Sequence, residues 1–96
     1  MRLALYSSKS TGIEPNLVAI QDPQLKIPTV LVCPVLRRIQ FTALRTKILW
    51  HDEEYVVACD LARPINRRVL RPCGLLDGET SRRVMEVFQT LLAGDF

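Results

Sequence analysis

Ninety-six residues carrying 48% hydrophobic and 24% charged side chains describe one globular domain spanning 1–96, too small to divide in two and too rich in apolar residues to stay disordered. The longest apolar run, Val30 to Leu36, is broken by Pro34, far short of the ~18 residues a membrane span needs. Thirteen Lys and Arg against ten Asp and Glu leave a charge of +3 and a pI near 9.0, a mild preference for an anionic partner.

Short runs of Val, Ile, Leu and Tyr, punctuated by six prolines and four glycines, predict strands at about 2–7, 16–21, 29–36, 45–50, 54–60 and 67–72. The N-terminal Leu3-Ala4-Leu5 gives way at once to Ser7-Ser8-Lys9 and predicts no signal peptide. In 54–60, Tyr55, Val57 and Cys59 alternate with Val56 and Ala58, so both faces are apolar and both are expected to be covered, one by the core and one by a second copy of the chain. Trp50 to Glu54 reads as a polar hairpin loop. From Glu79 onward Val84, Val87, Phe88, Leu91 and Leu92 fall on one stripe of an α-helix. Asp77 is the expected N-cap, Leu75 or Leu76 a hydrophobic staple, and Gly94 the C-terminal stop. The stripe predicts core packing of the helix against a small β-structure.

The three cysteines, at 33, 59 and 73, are odd in number and widely spaced, and His51 is the single histidine. That pattern predicts no metal site and no cofactor, and Cys33 and Cys59 as buried small hydrophobes in a reducing, cytoplasmic setting. No phosphate-binding glycine loop or HExxH is present. His51 beside Asp52 and Glu53 reads as a solvated loop residue rather than a member of a triad. The other cluster is Asp60 with Arg63, Arg67, Arg68 and Arg71. Four arginines in nine residues suit a nucleic-acid backbone or an acidic partner, or serve to keep a sheet edge soluble. A carboxylate among them is able in principle to take the proton of a ribose 2′-OH and cleave RNA without metal.

Leu5-Tyr6-Ser7, Val18-Ala19-Ile20-Gln21 and Val30-Leu31-Val32-Cys33-Pro34-Val35-Leu36 resemble, in order, the first three strands of CcdB-type toxins. Val56 to Ile65 resembles the corresponding strand of the related Kid and MazF toxins, and Gly74-Leu75-Leu76-Asp77 before an amphipathic helix is shared across that superfamily. The resemblance implies a mainly β fold, a small SH3-like barrel of five to seven short strands with one C-terminal α-helix. It also implies a homodimer and the toxin half of a plasmid-maintenance toxin–antitoxin pair, neutralised by an antitoxin with a disordered acidic tail that Arg63, Arg67, Arg68 and Arg71 are placed to contact.

Two chemistries divide the superfamily. Kid and MazF members are metal-independent endoribonucleases, and the resemblance would give Asp60, with Arg63 or Arg67, the catalytic role. Their Arg-Cys-Asp run is Ala58-Cys59-Asp60 in this chain, which lacks the arginine, and Leu36 stands where many of them carry Thr or Ser. CcdB members are not enzymes. They trap DNA gyrase, a topoisomerase, on cleaved DNA by binding its DNA-cleaving subunit through a C-terminal Trp-Gly-Ile. Here Gly94-Asp95-Phe96 occupies that place, with the tryptophan gone and a terminal hydrophobe kept. The expected function is CcdB-like gyrase inhibition with Gly94, Asp95 and Phe96 as the target-binding element; the alternatives are an endoribonuclease toxin and an inactive relative that keeps only its antitoxin.

Overall fold

The computed structural model describes residues 2–8, 16–22, 24–25, 27–36 and 45–94. Seven antiparallel strands form one curled half-barrel sheet, closed at the end of the chain by a helix: β1 (Ala4–Ser8), β2 (Leu17–Ala19), β3 (Thr29–Leu36), β4 (Arg45–Trp50), β5 (Glu53–Ala58), β6 (Arg63–Asn66), β7 (Leu70–Leu75) and α1 (Gly78–Ala93). The expected mainly β layout with a C-terminal helix is the one observed. Strand order is β4-β5-β3-β2-β1-β7, with β6 also on β3. No helix among the described residues is long and apolar enough to cross a membrane.

The period-two alternation of the strands divides the apolar residues between two faces. Leu5, Val18, Cys33, Val35, Ile48, Tyr55 and Val57 pack on one, joined by Val84 of α1 with Met85, Val87 and Phe88 beside it. Ala4, Tyr6, Leu17, Ala19, Val30, Val32 and Leu70 form a second core on the other, with Ile65 against it. Curling lets one small sheet bury both faces. Val56 and Ala58, the outer face of β5, are buried within the single chain, which corrects the expectation that a second copy covers them.

β3 is the organising strand. β2 lies on one edge, with Val18 opposite Cys33. Along the other edge β5 pairs at Val35↔Val57, and β6 resumes at Val32↔Arg63. Between those pairs β3 advances three residues and the opposing chain six, a surplus matching the 3-10 turn at Cys59–Leu61. Pro34 explains the detour. Val35 donates its N–H to Asn16 on the β2 side, 2.8 Å, so the alternation turns Pro34's amide position toward β5 and β6. Proline has no N–H to offer there, and the neighbouring chain leaves the ladder at that point.

β6 is an element the sequence reading lacked, and the strand expected at 67–72 begins three residues late. Arg67–Val69 is instead a 3-10 turn in which the Asn66 side chain accepts from the N–H of Arg68, 2.9 Å. β7 pairs with β1 with a register shift that leaves Cys73 as a bulge between Leu5↔Gly74 and Tyr6↔Pro72.

The hairpin between β4 and β5 is tighter than expected. Trp50 pairs with Glu53, so only His51 and Asp52 turn, both left-handed at φ 49° and 64°. This is the geometry of a type I′ turn, for which Asn-Gly is the favoured pair. Replacing His51-Asp52 by Asn-Gly is expected to stabilise the protein by about 1 kcal/mol, because left-handed backbone costs side-chain-bearing residues on that scale. A thermal melt raised by several degrees checks it; an unchanged or lowered midpoint would show that the stacking of His51 on Trp50, ring centroids 4.6 Å apart, outweighs the backbone term.

At the other end Asp77 caps α1 as expected, its carboxylate accepting from the N–H of Thr80. That hydrogen bond holds the Asp77 carboxyl below its ordinary range. Leu76, not Leu75, is the buried residue before the cap. The staple is polar, however: Leu76 N–H donates to the Leu3 carbonyl, and Leu3 N–H donates to Ser81 Oγ, each 2.8 Å. Both backbone groups of Leu3 are thereby used to seat the helix on the first strand.

Candidate functional site

The first candidate centres on Asp60. It sits on the 3-10 turn forced by Pro34, its carboxylate turned toward solvent with the side chain 26% exposed. Its partner is Arg45, the first residue of β4, paired across the hairpin with Ala58. The guanidinium forks onto the carboxylate, Nε to Oδ1 at 3.1 Å and Nη2 to Oδ2 at 3.2 Å, the bidentate arrangement that gives arginine–carboxylate pairs their strength. The hydrogen bonds from Arg45 hold the Asp60 carboxyl below the usual carboxylate range, and Asp60 in turn raises the guanidinium. Asp60 is therefore ionised and committed at neutral pH.

The arginines read from the sequence lie elsewhere. Arg67 fastens the segment before β3: Nε donates to the Ile27 carbonyl and Nη2 to that of Leu25, both 2.9 Å, while its N–H donates to Pro28 at 2.8 Å. It is a structural clamp and not a partner of Asp60. Arg63 on β6, Arg68 on the second 3-10 turn and Arg71 on β7 are exposed, spread along the rim that β6 and β7 form. His51 lies at the hairpin tip, exposed. Among the described residues no three His, Cys, Asp or Glu side chains gather as a metal site.

Arg45 is the residue that sequence reasoning missed. Its signal was available: a two-residue turn at His51-Asp52 fixes the hairpin register and sets position 45 opposite position 58. Arg45 thus brings a guanidinium from β4 to the aspartate two residues after Ala58.

The second candidate is the end of α1. Gly94 stops the helix as expected, left-handed at φ 75°, its N–H turned back to the carbonyls of Leu91 and Thr90. Asp95 and Phe96 lie outside the described residues. The stripe expected to be core fades along its length. Val84 is buried, Val87, Phe88 and Leu91 are half-buried, and Leu92 is 71% exposed. The apolar face of the last turn is thus open at Leu92, two residues before Gly94.

No family model matches the chain, and no curated protein matches it.

Proposed function

We propose that the chain is a CcdB-like toxin of a type II toxin–antitoxin system, acting in the cytoplasm by binding the DNA-cleaving subunit of gyrase through the end of α1. The observation that carries this reading is Leu92. An apolar side chain 71% exposed on the last helical turn, two residues before the hydrophobe-ended Gly94-Asp95-Phe96, would gain its burial from a protein partner. The homodimer and the acidic antitoxin belong to the same proposal and rest on the family resemblance; Arg63, Arg68 and Arg71 are the exposed cations of the rim that such an antitoxin would meet.

A second reading, the metal-independent endoribonuclease, is favoured by the Arg45–Asp60 pair, which restores a guanidinium beside the aspartate. Against it stands the state of that aspartate. A general base works best with a pKa near the operating pH, and Arg45 moves Asp60 the other way.

Two assays run side by side separate the readings. Purified protein is expected to inhibit supercoiling by gyrase in proportion to its concentration and to leave a mixed RNA substrate intact in the presence of a chelator. RNA cleavage that disappears in both Asp60→Asn and Arg45→Ala would overturn the gyrase reading in favour of the ribonuclease. Activity in neither assay would overturn both and leave the inactive relative.

A further inference from the structure

Cys33 and Cys59 are both fully buried. Cys33 on β3 and Cys59 at the head of the 3-10 turn belong to one core cluster, the turn packs against β3, and the last pair of the β3–β5 ladder, Val35↔Val57, stands two residues from each. Each thiol shifts the other's pKa, as neighbours in that cluster do, and the Cys59 sulfur lies 3.9 Å from the Val84 carbonyl of α1. Cys73, on the bulge of β7, is only half-buried, and its Sγ lies near its own strand, 3.8 Å from the Arg71 carbonyl.

We propose that Cys33 and Cys59 form an oxidisable dithiol, which a peroxide converts to an intramolecular disulfide tying β3 to the turn that carries Asp60. The order of events follows from the pair. Cys59 is the thiol nearer solvent along the chain, and its pKa is lowered while that of Cys33 is raised, so Cys59 reacts first. Cys59 also opens the 3-10 turn, whose next residues Asp60 and Leu61 are exposed. Local opening of so short a turn admits a small neutral oxidant. The Cys59 thiolate attacks one peroxide oxygen, the O–O bond breaks, and the departing hydroxide takes up a proton to leave as water, giving a sulfenic acid. The Cys33 sulfur then attacks the sulfenic sulfur, the S–O bond breaks, and a second water leaves with the Cys33 proton. Two thiols and one hydrogen peroxide thus become one disulfide and two waters. The inference stands apart from the toxin reading, since it depends only on β3, β5 and the turn.

The test is stoichiometric hydrogen peroxide on the folded, reduced full chain, quenched with catalase, followed by alkylation in denaturant and peptide mapping. The expected result is one thiol still alkylated, at Cys73, with the Cys33 and Cys59 peptides joined, the chain monomer-sized on a non-reducing gel, and full reversal by dithiothreitol. The oxidised form is expected to melt roughly 10 °C higher, since the bridge closes a loop of moderate size in the unfolded chain. Cys73→Ser is expected to give the same joined peptides. The proposal is overturned if all three thiols remain alkylated, if Cys59 proceeds to sulfinic acid without a link, or if the bridges formed run through Cys73.

Discussion

Gly74→Val is expected to lower the melting temperature by roughly 10–20 °C, the largest stability loss foreseen for a single exposed-edge substitution in this fold. β4 and β7 stand at opposite ends of the strand order, so no ladder joins them. Trp50, at the end of β4, spans the gap and lays its indole on Gly74 of β7. A Cβ at position 74 would meet Trp50 Cη2 in hard overlap and Cζ2 at 3.1 Å. The backbone there has φ 157°, which side-chain-bearing residues rarely adopt. Valine forces the indole away from Gly74, where β4 and β7 meet through side chains rather than through a ladder. Overpacking of this kind costs roughly 1–3 kcal/mol, backbone strain adds on the order of 1 kcal/mol, and each kcal/mol is worth about 4–8 °C in a chain this size. Trp50 is the only tryptophan, so its emission reports the displacement directly: the variant should shift to longer wavelength as the ring gains solvent. A double variant with Trp50→Ala should be less destabilised than the sum of the two singles, because the clash is then removed. A Gly74→Val protein that melts and fluoresces like the parent would show that the indole does not rest on that glycine.

The parts of the fold that the sequence made legible are those where periodicity and packing agree. β3 and β4 fall where the alternation places them, and Asp77 and Gly94 bound the helix because cap chemistry is local. β6 was not legible, since Arg63-Pro64-Ile65-Asn66 offers one apolar residue and a proline. The structure tolerates that proline because Leu31↔Pro64 is a non-hydrogen-bonded pair of the ladder. The missing N–H therefore faces the open edge and costs nothing there. The Asp60 site was half legible. The carboxylate stood out in the motif, but its partner depends on hairpin register, which a loop drawn over Trp50 to Glu54 blurs and a two-residue turn fixes. Arg67 shows the converse. Its place in an arginine-rich run suggested chemistry, and only three-dimensional contact with the carbonyls of Leu25 and Ile27 shows that it holds a loop. The helix stripe misled for a related reason. Periodicity reports which face of a helix is apolar but not how much of that face is covered, and the last turn of α1 is open at Leu92.

That open residue carries the second large effect. Leu92→Lys is expected to weaken binding to the DNA-cleaving subunit of gyrase by about 10- to 100-fold while moving the melting temperature by no more than ~2 °C. Leucine at this position is already 71% exposed, so its removal takes little from the fold, as for most surface substitutions. Lysine near a helix C-terminus also suits the dipole, which is why it is preferred here to an acid. Against a partner the same side chain has most of its burial still to gain, out of roughly 1.5–3 kcal/mol for full burial, or one to two decades in Kd. Deleting Asp95 and Phe96 extends the test to the tail: Gly94 already ends the helix with its own capping hydrogen bonds, so the truncation should leave α1 intact and remove the terminal hydrophobe from the contact. Binding measured by titration calorimetry, beside a thermal melt of each variant, reads both quantities. A melt lowered by several degrees in Leu92→Lys would place that residue in the fold's own packing. Unchanged affinity in both variants would move the contact away from the helix end and remove the main support for the gyrase reading.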